Sequence, residues 1–202
     1  ENLSFDNCYL EHVLYYTLSS LDRVLTEAGL QITDAERVDT HGGSLRVYAD
    51  KDGSHWGAAH TSPFHLLNEE RKLGLDRLEP YQEFAQKVER ARDELSDLLR
   101  RLKADGKVIV GYGAAAKASL LTNFCKLGPE QIAFIVDDSP LKIGRFTPGM
   151  HIPIVGPEEL ERSRPDYIMV FAWNHLETIK AKTSHLGAEY IMPVEAPERS
   201  RS

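Results

Sequence analysis

The segment from residue 107 to residue 117, KVIVGYGAAAK, constrains the fold more than any other part of this 202-residue chain. A short apolar run passes directly into a glycine turn and then into an alanine-rich stretch, which is the pattern of a strand, a tight turn and a helix. Short apolar strands alternate with helices from there to residue 192, and this alternation predicts a parallel sheet with helices on both faces. The predicted strands are 108–111, 131–136, 152–154, 167–171 and 190–192, and the predicted helices are 114–127, 157–162 and 174–186. We therefore expect an α/β domain with a Rossmann-like, doubly wound parallel sheet.

The turn after the first of these strands is a candidate anion site. Gly111 and Gly113 precede a helix whose N-terminal N–H groups and dipole favour a negative charge. Lys117, in the first turn of that helix, is unfavourable there unless a phosphate lies beside it. The alternative is structural, because glycines at this position also allow the helix to pack closely on the sheet. The third glycine of the dinucleotide fingerprint is replaced by Ala116.

Two further features follow the second strand of the predicted sheet. Asp137 stands at its end, where doubly wound folds often place an acid that holds ribose hydroxyls, although a turn or cap aspartate explains it equally well. The segment 144–153, GRFTPGMHIP, is long for a simple connection, and its Arg, aromatic and His151 favour a functional loop.

The first fifty residues predict a helix and a hairpin. Apolar residues recur at helical spacing from residue 21 to residue 28, with Ser19 or Ser20 as N-cap and Gly29 as the stop. Alternation over 31–39 and 44–49 then predicts two antiparallel strands. A lone hairpin is marginally stable, so we expect it to belong to a larger sheet and the chain to be the back half of a longer protein.

A long helix links these two parts. Apolar residues recur every three or four positions from Leu78 to Leu102, and Gly106 stands at the expected stop. The predicted organisation is a helix and hairpin in 1–60, a helical linker in 61–105, a Rossmann-like domain in 106–194 and a mobile polar tail in 195–202.

Composition excludes several classes of function. A net charge of −7 and a pI near 5.6 argue against a nucleic-acid partner, which normally needs a basic face. No apolar run approaches the roughly 20 residues that cross a bilayer. The eight histidines lack metal-ligand spacing, and the two cysteines, Cys8 and Cys125, fit a reducing compartment. We expect a cytoplasmic protein without a metal or a membrane partner.

The sequence Tyr9-Leu10-Glu11-His12 places a phenol, an acid and an imidazole together. Imidazole can accept a proton near neutral pH, and a neighbouring carboxylate can orient it. A phenol can donate a hydrogen bond to a developing oxyanion. The group is a candidate for proton abstraction, although such clusters also occur in structural networks.

Taken in order, five blocks of sequence resemble the C-terminal half of the sugar C-methyltransferases. The blocks are FDNCYLEHVLYYTLSSLDRVLTEAGL, HGGSLRVY, GYGAAAK, VDDSPLKIGRFTPGMHIPI and PDYIMVFAWN. Enzymes of that family use S-adenosylmethionine to methylate a carbon of a nucleotide-linked 4-keto-deoxysugar. The resemblance implies an N-terminal zinc module and a methyltransferase domain before this chain, whose hairpin would close that domain.

The resemblance also implies roles for individual residues. His12 matches the base that removes the proton from C3 of the sugar, and Tyr9 and Glu11 would stabilise the enolate and orient the base. Arg46 would meet the negative charge of the nucleotide diphosphate deoxysugar. The resemblance also implies that Lys117, Asn123 and His151 line the part of the site that holds the nucleotide sugar.

The sequence departs from the family pattern in three respects. Leu10 stands where a second histidine is usual, and Ala118-Ser119 replaces a common Gly-Asn. No glycine-rich motif for S-adenosylmethionine occurs in the chain, so the cofactor would be bound mainly by residues outside it and the chain would be inactive alone. Two alternatives stay open: a non-catalytic nucleotide or nucleotide-sugar binding module, and an NAD-dependent oxidoreductase.

Overall fold

The computed structural model describes residues 3–40, 43–51 and 63–193, and the chain divides into two compact units. Residues Glu1–Glu11 and Lys87–Ser202 form the unit that we call the parallel-sheet unit, and His12–Gln86 form the hairpin unit. This division differs from the predicted one, because the first eleven residues group with the parallel sheet. The predicted mobile tail lies outside the described residues, as do His41, Gly42 and residues 52–62.

The hairpin unit is a two-stranded antiparallel sheet covered by two helices. Its elements are α1 (Leu18–Glu27), β1 (Gln31–Val38), β2 (Ser44–Asp50) and α2 (Pro63–Leu73), followed by the start of α3 (Glu79–Ala104). Strands β1 and β2 pair from Gln31 opposite Asp50 to Val38 opposite Ser44, so the predicted hairpin is confirmed. Leu18, Ala35 and Leu66 are buried together, and this helix packing stabilises a hairpin that joins no third strand among the described residues.

The start of α1 corrects a detail of the sequence prediction. The N-cap is Thr17, not Ser19 or Ser20: the Ser20 N–H donates to Thr17 Oγ1, and the Thr17 N–H donates back to Ser20 Oγ. The carboxylate of Glu70, on α2, accepts from the N–H groups of Leu18 and Ser19. A carboxylate at a helix N-terminus is favourable, so the two helices are joined electrostatically as well as by packing.

The parallel-sheet unit confirms the predicted Rossmann-like fold. Its strands are β3 (Ile109–Tyr112), β4 (Ile135–Val136), β5 (Ile154–Val155), β6 (Tyr167–Val170) and β7 (Glu189–Ile191). All neighbours pair in parallel, in the spatial order β5-β4-β3-β6-β7. The order reverses between β3 and β6, and this switch point is where open α/β sheets form their ligand crevice, outside the carboxyl ends of the strands.

Helices cover both faces of this sheet. They are the later part of α3, then α4 (Ala116–Cys125), α5 (Glu158–Ser163) and α6 (Leu176–Thr183). Residues of α3 and α4 pack with Ile109 and Met169 on one face, and residues of α5 and α6 pack with Val110 and Ile168 on the other. Because both faces are buried, the strands are apolar throughout and show no alternation.

Two predicted elements differ in extent. The second strand of the sheet begins at Ile135 and not at Gln131, because 128–131 form a turn in which Gln131 Oε1 accepts from the Gly128 N–H. The predicted linker contains a separate helix, α2, before the long α3. Among the described residues, no helix is both long and apolar enough to span a membrane.

The two cysteines are free and differ in exposure, which gives a first testable prediction. Cys8 is exposed, whereas burial raises the pKa of the Cys125 thiol to about 11. Since the thiolate is the reactive form, iodoacetamide near neutral pH is expected to alkylate Cys8 in the folded chain and to spare Cys125. Peptide mass spectrometry measures this, with urea-unfolded protein as the control in which both react. Equal alkylation rates in the folded chain would contradict the burial of Cys125.

Candidate functional site

The candidate site lies at the carboxyl ends of β3 and β6. Gly113, which follows β3, has φ +93°, and a Cβ there would lie 2.8 Å from Cβ of Ala172, which follows β6. A Cβ on Gly111 would lie 2.8 Å from both Ile135 and Phe171. Both glycines therefore permit close packing at the switch point, which is the structural alternative raised by the sequence. Their predicted contact with a bound anion stays a prediction.

The helix that follows this turn begins without a side-chain cap. Its N-cap is Ala115, which has no side-chain oxygen with which to accept from the first N–H groups. The Ala114 N–H donates to Asp137 Oδ2 at 2.8 Å, so one amide of the turn is held within the chain. An uncapped helix N-terminus after a glycine turn is compatible with the predicted anion site.

Lys117, predicted to contact a phosphate, has partners within the chain. Its Nζ lies 2.8 Å from Asp6 Oδ2 and 2.9 Å from Asn7 Oδ1, and 4.3 Å from the ring centroid of Trp173. The side chain is 14% exposed, and that of Asp6 is 1% exposed. Asp6 thus neutralises Lys117 in a largely buried setting, and the lysine can be explained without a ligand.

Asp6 and Trp173 are residues of the site that sequence reasoning did not single out. The Trp173 indole N–H donates to Asp6 Oδ2 at 2.6 Å, and Asp6 Oδ1 is buried with no hydrogen-bond donor among the described residues. We call Asp6, Asn7, Lys117 and Trp173 the Asp6 cluster. The available signal was position in the sequence: Trp173 lies three residues after the end of β6, near the switch point, and Asp6 lies three residues before Tyr9.

Asp137, predicted to hold ribose hydroxyls, is engaged by the chain itself. Besides the Ala114 N–H, Oδ2 accepts from Lys142 Nζ at 2.9 Å, and Oδ1 accepts from the Ser139 N–H at 2.9 Å. The residue is 8% exposed. This arrangement matches the alternative of a turn aspartate, while the ribose contact stays a prediction.

A second network lies on the same edge of the sheet. The Tyr112 hydroxyl donates to Asp138 Oδ1 at 3.1 Å, and Lys182 Nζ on α6 donates to Asp138 Oδ2 at 2.7 Å. Burial raises the pKa of Tyr112, and the hydrogen bond from Lys182 lowers the pKa of Asp138. The phenol therefore remains a donor and the carboxylate an acceptor, which connects β3 with α6.

The segment 144–153 is ordered by contacts with α4 and with itself. Asn123 Nδ2 donates to the carbonyls of Ser119 and Pro148, at 2.7 and 2.9 Å. Phe146 forms an antiparallel bridge with Pro153. His151 is exposed, with φ +53°. Asn123 thus positions the loop that carries His151, and the predicted substrate contacts of both residues remain untested.

The predicted acid–base group is divided at the boundary of the two units. Tyr9 and Glu11 belong to the parallel-sheet unit, and His12 begins the hairpin unit. Tyr9 and His12 are half-buried, and Glu11 is exposed. The imidazole of His12 lies edge-on to Tyr15, with ring centroids 6.5 Å apart.

Arg46 lies on β2, within the hairpin unit. Its Nη1 donates to Glu36 Oε1 at 3.0 Å, and the Tyr48 hydroxyl donates to the same oxygen at 2.9 Å. The hydrogen bond to Glu36 raises the pKa of Arg46, so the guanidinium stays charged. The side chain is 57% exposed, which leaves part of its surface open to solvent.

Two observations limit the room for S-adenosylmethionine in the parallel-sheet unit. Asp137, the acidic side chain at the end of the second strand, already accepts three hydrogen bonds from within the chain. The space above Gly113 is limited by Ala172. In 3–40, 43–51 and 63–193, no three His, Cys, Asp or Glu side chains are grouped so that they could hold a metal ion.

Comparisons with known proteins identify similar sequences over nearly the whole chain. Residues 39–195 match the family described as the C-methyltransferase C-terminal domain. The chain is 36% identical over 200 residues to C-methyltransferase NovU of Streptomyces niveus. That similarity covers 98% of this chain and 47% of NovU, so the chain spans about half the length of this relative.

Proposed function

We propose that this chain, which belongs to the C-methyltransferase family through its C-terminal domain, binds a nucleotide-linked 4-keto-deoxysugar and supplies the base for methylation of its C3 carbon. The observation that carries the proposal is the position of residues 5–11. This segment, with Tyr9 and Glu11, packs in the parallel-sheet unit, and its Asp6 contacts the helix that follows the glycine turn.

The chemistry requires a base and a means of stabilising an enolate. A ketone at C4 acidifies the hydrogen on C3, and His12 takes that hydrogen as a proton while the electron pair moves onto the C4 oxygen. Tyr9 donates a hydrogen bond to this developing oxyanion, and Glu11 orients the imidazole. The exposure of Glu11 and the partial burial of Tyr9 and His12 are compatible with contact to a substrate.

We assign binding of the nucleotide diphosphate to backbone N–H groups and charged side chains. The uncapped start of α4, in the parallel-sheet unit, offers backbone donors to the diphosphate. Arg46, in the hairpin unit, has a 57% exposed side chain whose guanidinium is proposed to contact a negative charge of the substrate. In this proposal, Asn123 on α4 and His151 in the 144–153 loop also contact the nucleotide sugar.

S-adenosylmethionine supplies the electrophilic methyl group of the overall reaction. We assign its binding to a region that corresponds to the part of NovU not matched by this chain, because no glycine-rich motif for the cofactor occurs in these 202 residues. Methyl transfer then requires the complete protein.

The test is methyl transfer by the complete protein that contains this chain. With S-adenosylmethionine carrying a ¹³C methyl group and a nucleotide 4-keto-6-deoxysugar, the label is expected on C3 of the sugar by NMR. In D₂O, the enzyme is also expected to exchange the C3 hydrogen. The matched control is the same sugar with C4 reduced to an alcohol, which cannot form the enolate.

A different result would favour the alternative function. If the protein binds the nucleotide sugar by calorimetry but neither exchanges the C3 hydrogen nor transfers the label, the chain is a binding module and the proposal is wrong. Label on another carbon would retain methyl transfer and overturn the assignment to C3.

A further inference from the structure

The N-terminal segment is attached to the parallel-sheet unit by an apolar contact and a buried charge. Phe5 is 7% exposed and belongs to the core face covered by α3 and α4, with its ring centroid 5.5 Å from that of Phe124. Residues Phe5–Asn7 form a short 3₁₀ turn against α4. The segment before the predicted acid–base group is therefore packed as part of the domain.

The charge of Asp6 is held by residues that follow the two strands of the switch point. Lys117 lies in the first turn of the helix after β3, and Trp173 lies in the turn after β6. Both donate to the same oxygen, Asp6 Oδ2, at 2.8 and 2.6 Å. The carboxylate thus joins three segments of chain at the edge where an open α/β sheet binds its ligands.

These contacts restrict the segment because Asp6 makes them with residues that are distant in the sequence. The partners of Asp6 are 111 and 167 residues away in sequence, so they are present only in the folded unit. A buried carboxylate that loses a charged partner is strongly unfavourable. Asn7 adds a further contact, since its Oδ1 accepts from Lys117 Nζ at 2.9 Å.

We infer that Asp6 is a positioning residue, which holds the segment bearing Tyr9 and Glu11 in one place beside the switch point. The inference rests on the proposed function, in which those two side chains contact the sugar. Asp6 itself is enclosed, with a side chain only 1% exposed, and acts through the backbone of residues 5–11. The Asp6 cluster therefore has a role separate from phosphate binding by Lys117.

Hydrogen exchange tests the positioning directly. The N–H groups of Phe5, Asn7, Cys8 and Tyr9 donate to carbonyls within residues 3–7. In the complete protein, Asp6→Asn is expected to speed amide exchange in the peptide covering residues 5–11 while the strands of the sheet keep their wild-type protection. The control, Asp105→Asn, makes the same change at an exposed position of the same unit and is expected to change neither.

Kinetics test the consequence for the reaction. Asp6→Asn is expected to lower kcat about 10²-fold, since small displacements of reacting groups have effects of that size, with little change in KM for the nucleotide sugar. Trp173→Phe removes one donor to Asp6 and keeps a ring beside Lys117, so it is expected to change exchange and kcat in the same direction by less. If Asp6→Asn fails to fold, Trp173→Phe provides the test in its place.

The outcomes separate this inference from the proposed function. Unchanged exchange at residues 5–11 in both variants would overturn the positioning role even if the wild-type enzyme is active. Faster exchange with unchanged kcat would overturn its link to the reaction. Inactivity of the wild-type protein would refute the proposed function and with it the positioning of a catalytic segment, while the exchange measurement would still report whether Asp6 fixes residues 5–11.

Discussion

Replacing His12 by Asn is expected to lower kcat for methyl transfer by about 10²–10⁴-fold, the usual contribution of a general base. The proposed reaction cannot begin without removal of the C3 proton, and an amide side chain does not accept one. Asn keeps a similar size and polarity, and His12 is half-buried in a stretch without helix or strand, so folding is expected to be unaffected. Binding of the nucleotide sugar, measured by calorimetry, should stay near the wild-type level.

The control for this variant is His65→Asn. His65 is an exposed histidine of the same unit, on α2, with a 70% exposed side chain paired to Glu69. It is expected to keep wild-type activity. Measuring C3 hydrogen exchange in D₂O beside methyl transfer separates the proton step from the rest of the reaction. Wild-type rates in the His12 variant would remove this residue from the mechanism.

Replacing Lys117 by Met is expected to destabilise the protein by about 3–5 kcal/mol, the typical cost of leaving one member of a buried ion pair without its partner. Met retains the apolar contact with Trp173 but leaves the carboxylate of Asp6 without a counter-charge. The free energy of unfolding, measured in urea, tests this. The double variant Asp6→Asn with Lys117→Met is expected to recover part of the loss, because it removes both charges.

The matched control is Lys107→Met in the same unit. Lys107 pairs with Asp166 at 3.1 Å, but the two side chains are 43% and 37% exposed, so solvent can replace the interaction and the loss should be much smaller. The Lys117 variant also separates two roles of this residue. Unchanged stability with lost binding of the nucleotide sugar would show that phosphate binding, and not the pair with Asp6, accounts for the lysine.

Local patterns predicted most of the secondary structure. Short apolar segments of three to six residues between helical segments indicated the parallel sheet, and alternation over 31–39 and 44–49 indicated the hairpin, both as observed. The errors are local as well. Helix α2 was absorbed into the predicted linker, and Thr17 was missed as a cap because three hydroxyl residues in the neighbourhood offer similar signals.

The location of the candidate site was predictable from the sequence, but the partners of its charged side chains were less so. A glycine turn between a buried strand and a helix identified the edge of the sheet, since that arrangement depends on adjacent residues. The partners of Lys117 and Asp137 were not predictable in the same way. A lysine at a helix start suggested a phosphate by electrostatics, and the carboxylate that satisfies the same electrostatics comes from Asp6.

The fold class, the position of the glycine turn and the family could all be predicted from the order of residues along the chain, because strand and helix periodicity and motif order are properties of neighbouring residues. Which charged groups meet depends on how distant segments pack. Asp6 and Trp173 are separated by 167 residues, and they come together because β3 and β6 lie side by side in the sheet while Phe5 packs under α4. No periodicity encodes such a contact, since it depends on chain crossovers that bring distant segments to one edge.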